Sequence, residues 1–247
     1  WLAEVPVIAC GMVGARQGWR EAPYLACPAS LQELSRALVE VDAGNGRSVH
    51  IVPGLSFDPP DGAPDVLRGE ETQVFGAASS WPQATFILPG THSKWVTLEA
   101  GEVVSFATFM TGELYGLLRH HSILSASLEG DDFDSPAFED GVEAGLRGSG
   151  SGGLSRQLFS VRALGLFDRL APRVAAAYLS GLLIGAELAG ARSAGWLERE
   201  TLLVLLGGDV LTNRYGVAMR VAGHDAELGP PDVAAQGLYR LAKAAGF

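Results

Sequence analysis

Short apolar runs alternate along this chain with longer segments of helical period. Residues 5–10 (VPVIAC) form a continuous apolar run ending at Gly11, the pattern of a buried parallel strand. Residues 50–53, 84–88 (ATFIL) and 201–206 (TLLVLL) read as further short strands. Residues 94–98 and 103–109 read as two more, joined by the Gly-containing hairpin turn EAGE. Between them, residues 30–41 place Leu31, Leu34, Leu38 and Val41 at helical spacing, and Ser30 with Glu33 forms a capping-box pattern. Residues 66–79 read as a helix entered at Asp65, with acidic residues in its first turns where the helix dipole favours them. Helices are also predicted from Gly112 onward, over most of 160–192, over 210–222 and over 232–245.

The connections carry turn chemistry. IVPGLS (51–56) reads as a turn and FDPPDGAPD (57–65) as a loop. Residues 122–160 are polar and irregular, with a flexible GSGSGG at 148–153. Short strands alternating with helices, plus one hairpin, make the class α/β. At 247 residues the chain exceeds the usual size of one compact core and has room for two lobes.

Residues 174–191 (VAAAYLSGLLIGAELAGA) are apolar for long enough to raise a membrane span. Much of that apolarity is Ala and Gly, and Glu187 would be costly in lipid, so a buried core helix is the expectation. The opening WLAEVPVIAC has no basic region of a secretory signal. The chain starts at Trp1 and runs directly into a strand, which suggests a segment upstream.

Composition narrows the partners. With 47% hydrophobic and 19% charged residues the chain reads as globular. The net charge of −10, with no basic stripe, argues against nucleic acid. Cys10 and Cys27 lack CxxC spacing and nearby histidines, as for ordinary thiols in a reducing cytosol.

Five segments could carry chemistry. PGTHSKWV (89–96) is a Gly-containing turn between two strands bearing Thr91, His92, Ser93 and Lys94. Its amides, hydroxyls and lysine could hold a phosphate, although it is not a Walker loop. TFMTGEL (108–114) places Thr111 and Gly112 at a helix start, another anion-friendly point. RGEETQ (68–73) puts Glu70 and Glu71 in a first helical turn. Adjacent side chains point about 100° apart, so at most one normally faces a ligand. LLGGDV (205–210) is strand, Gly207-Gly208, then Asp209 as N-cap, with glycines that admit a flat ring close to the backbone. GARQGWREAPY (14–24) gathers Arg16, Gln17, Trp19, Arg20, Glu21 and Tyr24, residue types suited to a carboxylated sugar. Read singly, each also fits an ordinary turn, cap or surface loop.

Taken together and in this order, ACGMVGARQGW, DVLRGEETQ, LPGTHSKWV, FMTGELY, LFSVRALGLF and YLSGLLIGAE resemble the 2-dehydro-3-deoxygalactonokinase family over nearly the whole chain. The resemblance implies an actin-like ATPase (ribonuclease H-like) fold of two α/β lobes, here 1–82 on the substrate side and 83–247 on the nucleotide side, with nucleotide and sugar acid in the cleft between them. It implies a cytoplasmic enzyme that phosphorylates 2-keto-3-deoxy-galactonate at O6 with ATP and Mg2+. On this pattern the turn from Gly90 to Lys94 is a second phosphate loop, joined by Thr111 and Gly112, and Gly207, Gly208 and Asp209 line the adenosine side. The RGEETQ helix, similar to the GxEEA segment of exopolyphosphatases, supplies the acidic residue facing the reacting hydroxyl. Glu70 is preferred over Glu71, with Asp65 third. Arg16, Gln17, Trp19, Arg20, Tyr24 and Arg68 fall on the substrate side, and the residues leave the galactonate and gluconate isomers open.

One departure stands out. Family members open on a strand with a DWGT-type phosphate turn, and nothing here matches it, so the first lobe reads as truncated at its N-terminus. Missing strands would expose sheet edge and favour self-association into a homo-oligomer. The alternatives are a non-catalytic sugar-acid or nucleotide-binding fragment and a phosphatase on the same fold.

Overall fold

The structure, a computed structural model, describes residues 5–44, 46–60, 62–130, 133–198 and 200–247; part of the opening WLAEVPVIAC thus lies outside the described residues. In chain order the elements are β1 (Val7–Ala9), β2 (Tyr24–Ala26), β3 (Ala29–Ser30), α1 (Leu31–Arg36), β4 (Val39–Asp42), β5 (Ser48–Ile51), β6 (Gly54–Phe57), β7 (Asp65–Leu67) and α2 (Glu70–Ala77). They continue with β8 (Ala84–Leu88), β9 (Ser93–Glu99), β10 (Glu102–Phe109), α3 (Thr111–His121), α4 (Ser135–Leu146), α5 (Leu154–Leu166), α6 (Pro172–Ser193), β11 (Leu203–Leu205), α7 (Asp209–Val221) and α8 (Val233–Ala245). The chain forms two compact units: Trp1–Leu88, Lys94–Thr108 and Leu228–Phe247 make the first, and Pro89–Ser93 with Phe109–Glu227 the second.

The first unit is built on strands. β5 lies between β1, parallel to it, and β4, antiparallel. β6 lies between β2, parallel, and β7, antiparallel. The third group follows the order β8-β9-β10-β3, with Phe86 paired to Val96 in the β8–β9 hairpin. Phe86, Ile87, Trp95, Val96 and Leu98 are fully buried there, which explains the near-continuous apolar runs. The β9–β10 turn puts Ala100 at φ 49° and Gly101 at φ 85°, the two positive φ values of a tight hairpin. α2 packs on α8 at a very short distance, since a Cβ at Gly237 would lie 1.8 Å from the Thr72 carbonyl oxygen.

The second unit is mostly helical. α4 crosses α6 through glycine faces: a Cβ at Gly181 would meet the Phe138 carbonyl oxygen at 2.0 Å. α6 satisfies a length-and-hydropathy criterion for crossing a membrane, yet 78% of its most apolar window is buried inside the protein. That burial explains why the helix is apolar on all sides.

The α/β class holds, and several element boundaries are corrected. The helix read over 30–41 stops at Arg36, and Val39–Asp42 is a strand whose residues alternate in exposure, so the β-branched period-2 pattern won over the leucine spacing. Its capping box is present as read: Ser30 N donates to Glu33 Oε2 at 2.8 Å, and Glu33 N to Ser30 Oγ at 3.3 Å. Residues 54–57, read as part of a turn, are strand β6. The helix read over 66–79 begins four residues later: Asp65–Leu67 is β7, Gly69 takes φ 109° as N-cap, and α2 starts at Glu70. The stretch 122–160, read as irregular, contains α4 and most of α5, with Asp134 Oδ1 capping the Ala137 amide at 2.9 Å. Gly and Pro in α4 hid that helix: Pro136 sits harmlessly in the first turn and the glycines serve packing.

Candidate active site

In the second unit the turn after β8 is fastened to the start of α3. Glu113 N donates to the Thr91 carbonyl at 2.9 Å, and His92 Nε2 lies 2.5 Å from Glu113 Oε2. Gly112 lies against the turn backbone, where a Cβ would come within 2.3 Å of the Gly90 carbonyl oxygen. Among the described residues, the amides of Gly90, Thr91 and His92 donate to no backbone carbonyl, and neither do those of Thr111 and Gly112 in the first turn of α3. Amides at a turn and a helix start that are not spent on backbone carbonyls form the donor set that an anion requires.

Beneath them sits a residue outside the five candidate segments, distinguished in the sequence only as a charge in an apolar stretch. Glu187, on α6 and only 3% exposed, accepts from Ser93 Oγ at 2.8 Å, from Tyr215 Oη at 2.7 Å and from Thr111 Oγ1 through a very short contact. Tyr215 belongs to α7, which follows Gly207-Gly208 and begins at Asp209. Burial, and then the Glu187 carboxylate, hold the Tyr215 phenol well above its ordinary pKa, so it remains a donor. The missed signal was available: a single carboxylate in an apolar core helix needs partners, and the partners mark a site. A cavity of about 350 Å³ is bounded by Glu187, Thr111, Phe109, Leu114 and Gln157, and another of about 60 Å³ by Gly90, Gly112, Leu211 and Tyr215.

At the third segment Gly207 has φ 141° and a Cβ at Gly208 would meet nothing within 4 Å, so space lies over this backbone. Gly208, rather than Asp209, is the N-cap, and Asp209 is the first helical residue.

Lys94 lies in the first unit, with its side chain turned inward. Its Nζ donates to the Val66 carbonyl at 3.0 Å and to Thr108 Oγ1 at 2.7 Å. Asp65 completes the chain, taking the Thr108 hydroxyl at 2.8 Å and its amide at 2.6 Å. Charge therefore runs from ammonium through a hydroxyl to a carboxylate, a buried arrangement that fixes β7 against β10.

The two glutamates of α2 divide as their spacing implied. Glu71 is fully buried, with Oε2 accepting from the Gly69 amide at 2.6 Å and Oε1 from Thr72 Oγ1 at 3.0 Å. Burial pushes its carboxyl up to about 7, against the downward pull of those bonds. Glu70 is half-buried and accepts from the Arg68 amide at 3.0 Å.

The loop carrying Arg16, Gln17, Trp19 and Arg20 is exposed and folds on itself through bonds from the Trp19 and Arg20 amides to the Val13 carbonyl. Arg68 anchors it, with Nη2 donating to the Ala22 carbonyl at 2.8 Å and the guanidinium 4.3 Å from the Tyr24 ring centroid. Its Nε and Nη1 are buried without a hydrogen-bond partner. The first unit thus gathers the residues read as substrate-side, Glu70 and Glu71, while the second gathers Gly90 to Ser93, Thr111, Gly112 and Gly207 to Asp209.

The chain is 38% identical over 246 residues to the 2-dehydro-3-deoxygalactonokinase of Escherichia coli (strain K12), covering 99% of this chain and 81% of that protein. It is 43% identical over 229 residues to a probable 2-dehydro-3-deoxygalactonokinase of Rhizobium meliloti (strain 1021), covering 90% and 72%. A solved structure under that name from Sinorhizobium meliloti superposes with a TM-score of 0.91 at 39% identity, covering 99% of this chain and 81% of that one. The family model for 2-keto-3-deoxy-galactonokinase matches residues 1–241. By sequence and by fold, this chain belongs to the 2-keto-3-deoxy-galactonokinase family.

Proposed function

We propose that this protein transfers the γ-phosphoryl group of ATP to O6 of 2-dehydro-3-deoxy-D-galactonate in the cytoplasm, with the substrate side in residues 1–82 and the nucleotide side in 83–247. The observation that carries this reading is the set of amides at Gly90, Thr91, His92, Thr111 and Gly112 that donate to no backbone carbonyl among the described residues. Five such donors suit a polyphosphate, and the open face over Gly208 suits the nucleoside end. These residues fit ATP, which supplies the phosphoryl group. Among the described residues no cluster of three or more His, Cys, Asp or Glu is arranged to hold a metal. Magnesium would arrive with the nucleotide, held by phosphate oxygens and water as is usual for this ion.

The protein's own contribution is positioning and electrostatics. The amides of the turn and of α3 hold negative charge on the donor side. Glu70, the more exposed glutamate, orients the acceptor hydroxyl and takes its proton, while Glu71 shapes the start of α2 from below. Arg16 or Arg20, both exposed and without an ion pair among the described residues, grips the substrate carboxylate. Arg68 keeps their loop in place through Ala22 and Tyr24.

Phosphorus NMR of the product tests the assignment. The reading expects a phosphomonoester coupled to the C6 protons, formed faster from the galactonate than from the gluconate isomer. An ester at another oxygen, or no ester, contradicts it.

A further inference from the structure

We propose that Glu187 is the positioning residue of the phosphate turn, and that the Ser93 and Thr111 hydroxyls serve Glu187 rather than donating to phosphate. This inference rests on the kinase reading for its functional consequence and on three hydrogen bonds for its geometry.

A serine or threonine hydroxyl has one proton to donate. Ser93 directs its proton to Glu187 Oε1 at 2.8 Å, and Thr111 directs its own to Oε2. Both side chains are buried, Ser93 completely. An anion beside them would meet lone pairs instead of protons, unless the hydroxyls abandoned a buried carboxylate that itself needs them. Donors to phosphate must then come from elsewhere on these segments, and the turn and helix-start amides that reach no backbone carbonyl among the described residues supply them.

The carboxylate also reaches further than two hydroxyls. Ser93 closes the turn, Thr111 opens α3, and Tyr215 lies on α7 beyond Gly207-Gly208-Asp209. Two of the segments read as nucleotide-binding, and the helix that follows the third, thus converge on one side chain of α6. A neutral amide at position 187 could accept on one atom only, so at least one of the three donors would lose its acceptor. The turn and the start of α3 would lose a shared tie although none of their amides had been changed.

The experiment uses the full chain with Glu187→Gln, Glu187→Asp, Ser93→Ala and the Ser93→Ala/Glu187→Gln pair. Two readouts are taken: calorimetric titration with ATP and magnesium, and steady-state kinetics varying each substrate. Glu187→Gln should weaken ATP about tenfold in both Kd and KM and leave the sugar-acid KM within about twofold, a one-sided split that a general loss of stability does not produce. Glu187→Asp, which keeps the charge, should recover part of that loss. The double variant should be no worse than Glu187→Gln by more than about twofold, because both changes act through one contact.

Unchanged ATP affinity in Glu187→Gln overturns the proposal. So does a Ser93→Ala loss that multiplies fully with that of Glu187→Gln, since Ser93 would then act on phosphate independently. If the wild type binds ATP but does not phosphorylate the sugar acid, the kinase reading fails while the titration still decides the role of Glu187. A wild type that binds no ATP overturns both. Should Glu187→Gln fail to fold, Glu187→Asp and Ser93→Ala decide it: normal ATP affinity in both overturns the proposal.

Discussion

Gly112 and Gly90 are in backbone contact: a Cβ on Gly112 would lie 2.3 Å from the Gly90 carbonyl oxygen and 2.9 Å from Thr91 Cα. Both neighbours are main chain, so neither can rotate away. Gly112→Ala improves helix propensity by about 1 kcal/mol, but it pushes the start of α3 off the turn. Displacements of roughly 1 Å can cost on the order of 100-fold in rate. We expect kcat/KM for ATP to fall ten- to a hundredfold, roughly, while far-UV circular dichroism stays native. Wild-type kinetics in Gly112→Ala would show that the contact has no functional part.

Glu71 gives a pH signature. Its carboxyl ionises near 4.5 in an ordinary setting and near 7 in the fold, so the folded state binds the extra proton between those values. Stability should therefore decline as pH rises through that window and level off above it, by roughly 3 kcal/mol in total. Glu71→Gln, which keeps an acceptor for the Gly69 amide but does not ionise, should flatten this dependence. Urea denaturation at pH 5, 6 and 7.5 checks it; parallel curves for the two proteins would remove Glu71 as the cause.

Thr108 relays between Lys94 and Asp65 in the first unit. Thr108→Val keeps the shape but leaves the Lys94 ammonium with only the Val66 carbonyl among the partners described above. Stranding a largely buried charge costs about 2–4 kcal/mol. We expect a matching fall in the urea midpoint with unchanged m-value, and a loss below about 0.5 kcal/mol would show that the relay adds little.

Arg16 and Arg20 predict an effect confined to the acceptor. Removing the one that holds the substrate carboxylate should raise the sugar-acid KM about tenfold, the value of a charge-assisted pair at a partly exposed site, and leave the ATP KM alone. If neither Arg16→Ala nor Arg20→Ala does so, the exposed loop is not the carboxylate clamp.

Part of the fold was legible in the sequence. The buried strand 84–88 could be read because its short apolar run is flanked by Pro82 and by Pro89-Gly90, and the strand read at 94–98, observed over 93–99, because the Gly-containing turn EAGE joins it to the next one. The Ser30–Glu33 cap was legible because its chemistry is local. β7 was missed because Asp65-Val66-Leu67 precedes an acidic helix start, and only tertiary pairing with β6 makes it a strand. α4 was missed because its glycines serve the contact with α6, which no local pattern records. Within the site, the turn and the α3 start were visible as motifs. Glu187 was not, because its partners are separated from it by 28 to 94 positions. The direction of the Lys94 side chain was hidden for the same reason: its closest acceptor, Thr108, is fixed by the fold of the hairpin.

Acceptor-dependent ADP release tests the kinase assignment most directly. A coupled assay with the purified protein, ATP and magnesium is run with and without 2-dehydro-3-deoxy-D-galactonate. We expect ADP to appear with the sugar acid and to fall to background when it is omitted, with no matching release of inorganic phosphate. Equal ADP and phosphate release in its absence, or no response to its addition, would contradict the assignment of this chain as a sugar-acid kinase.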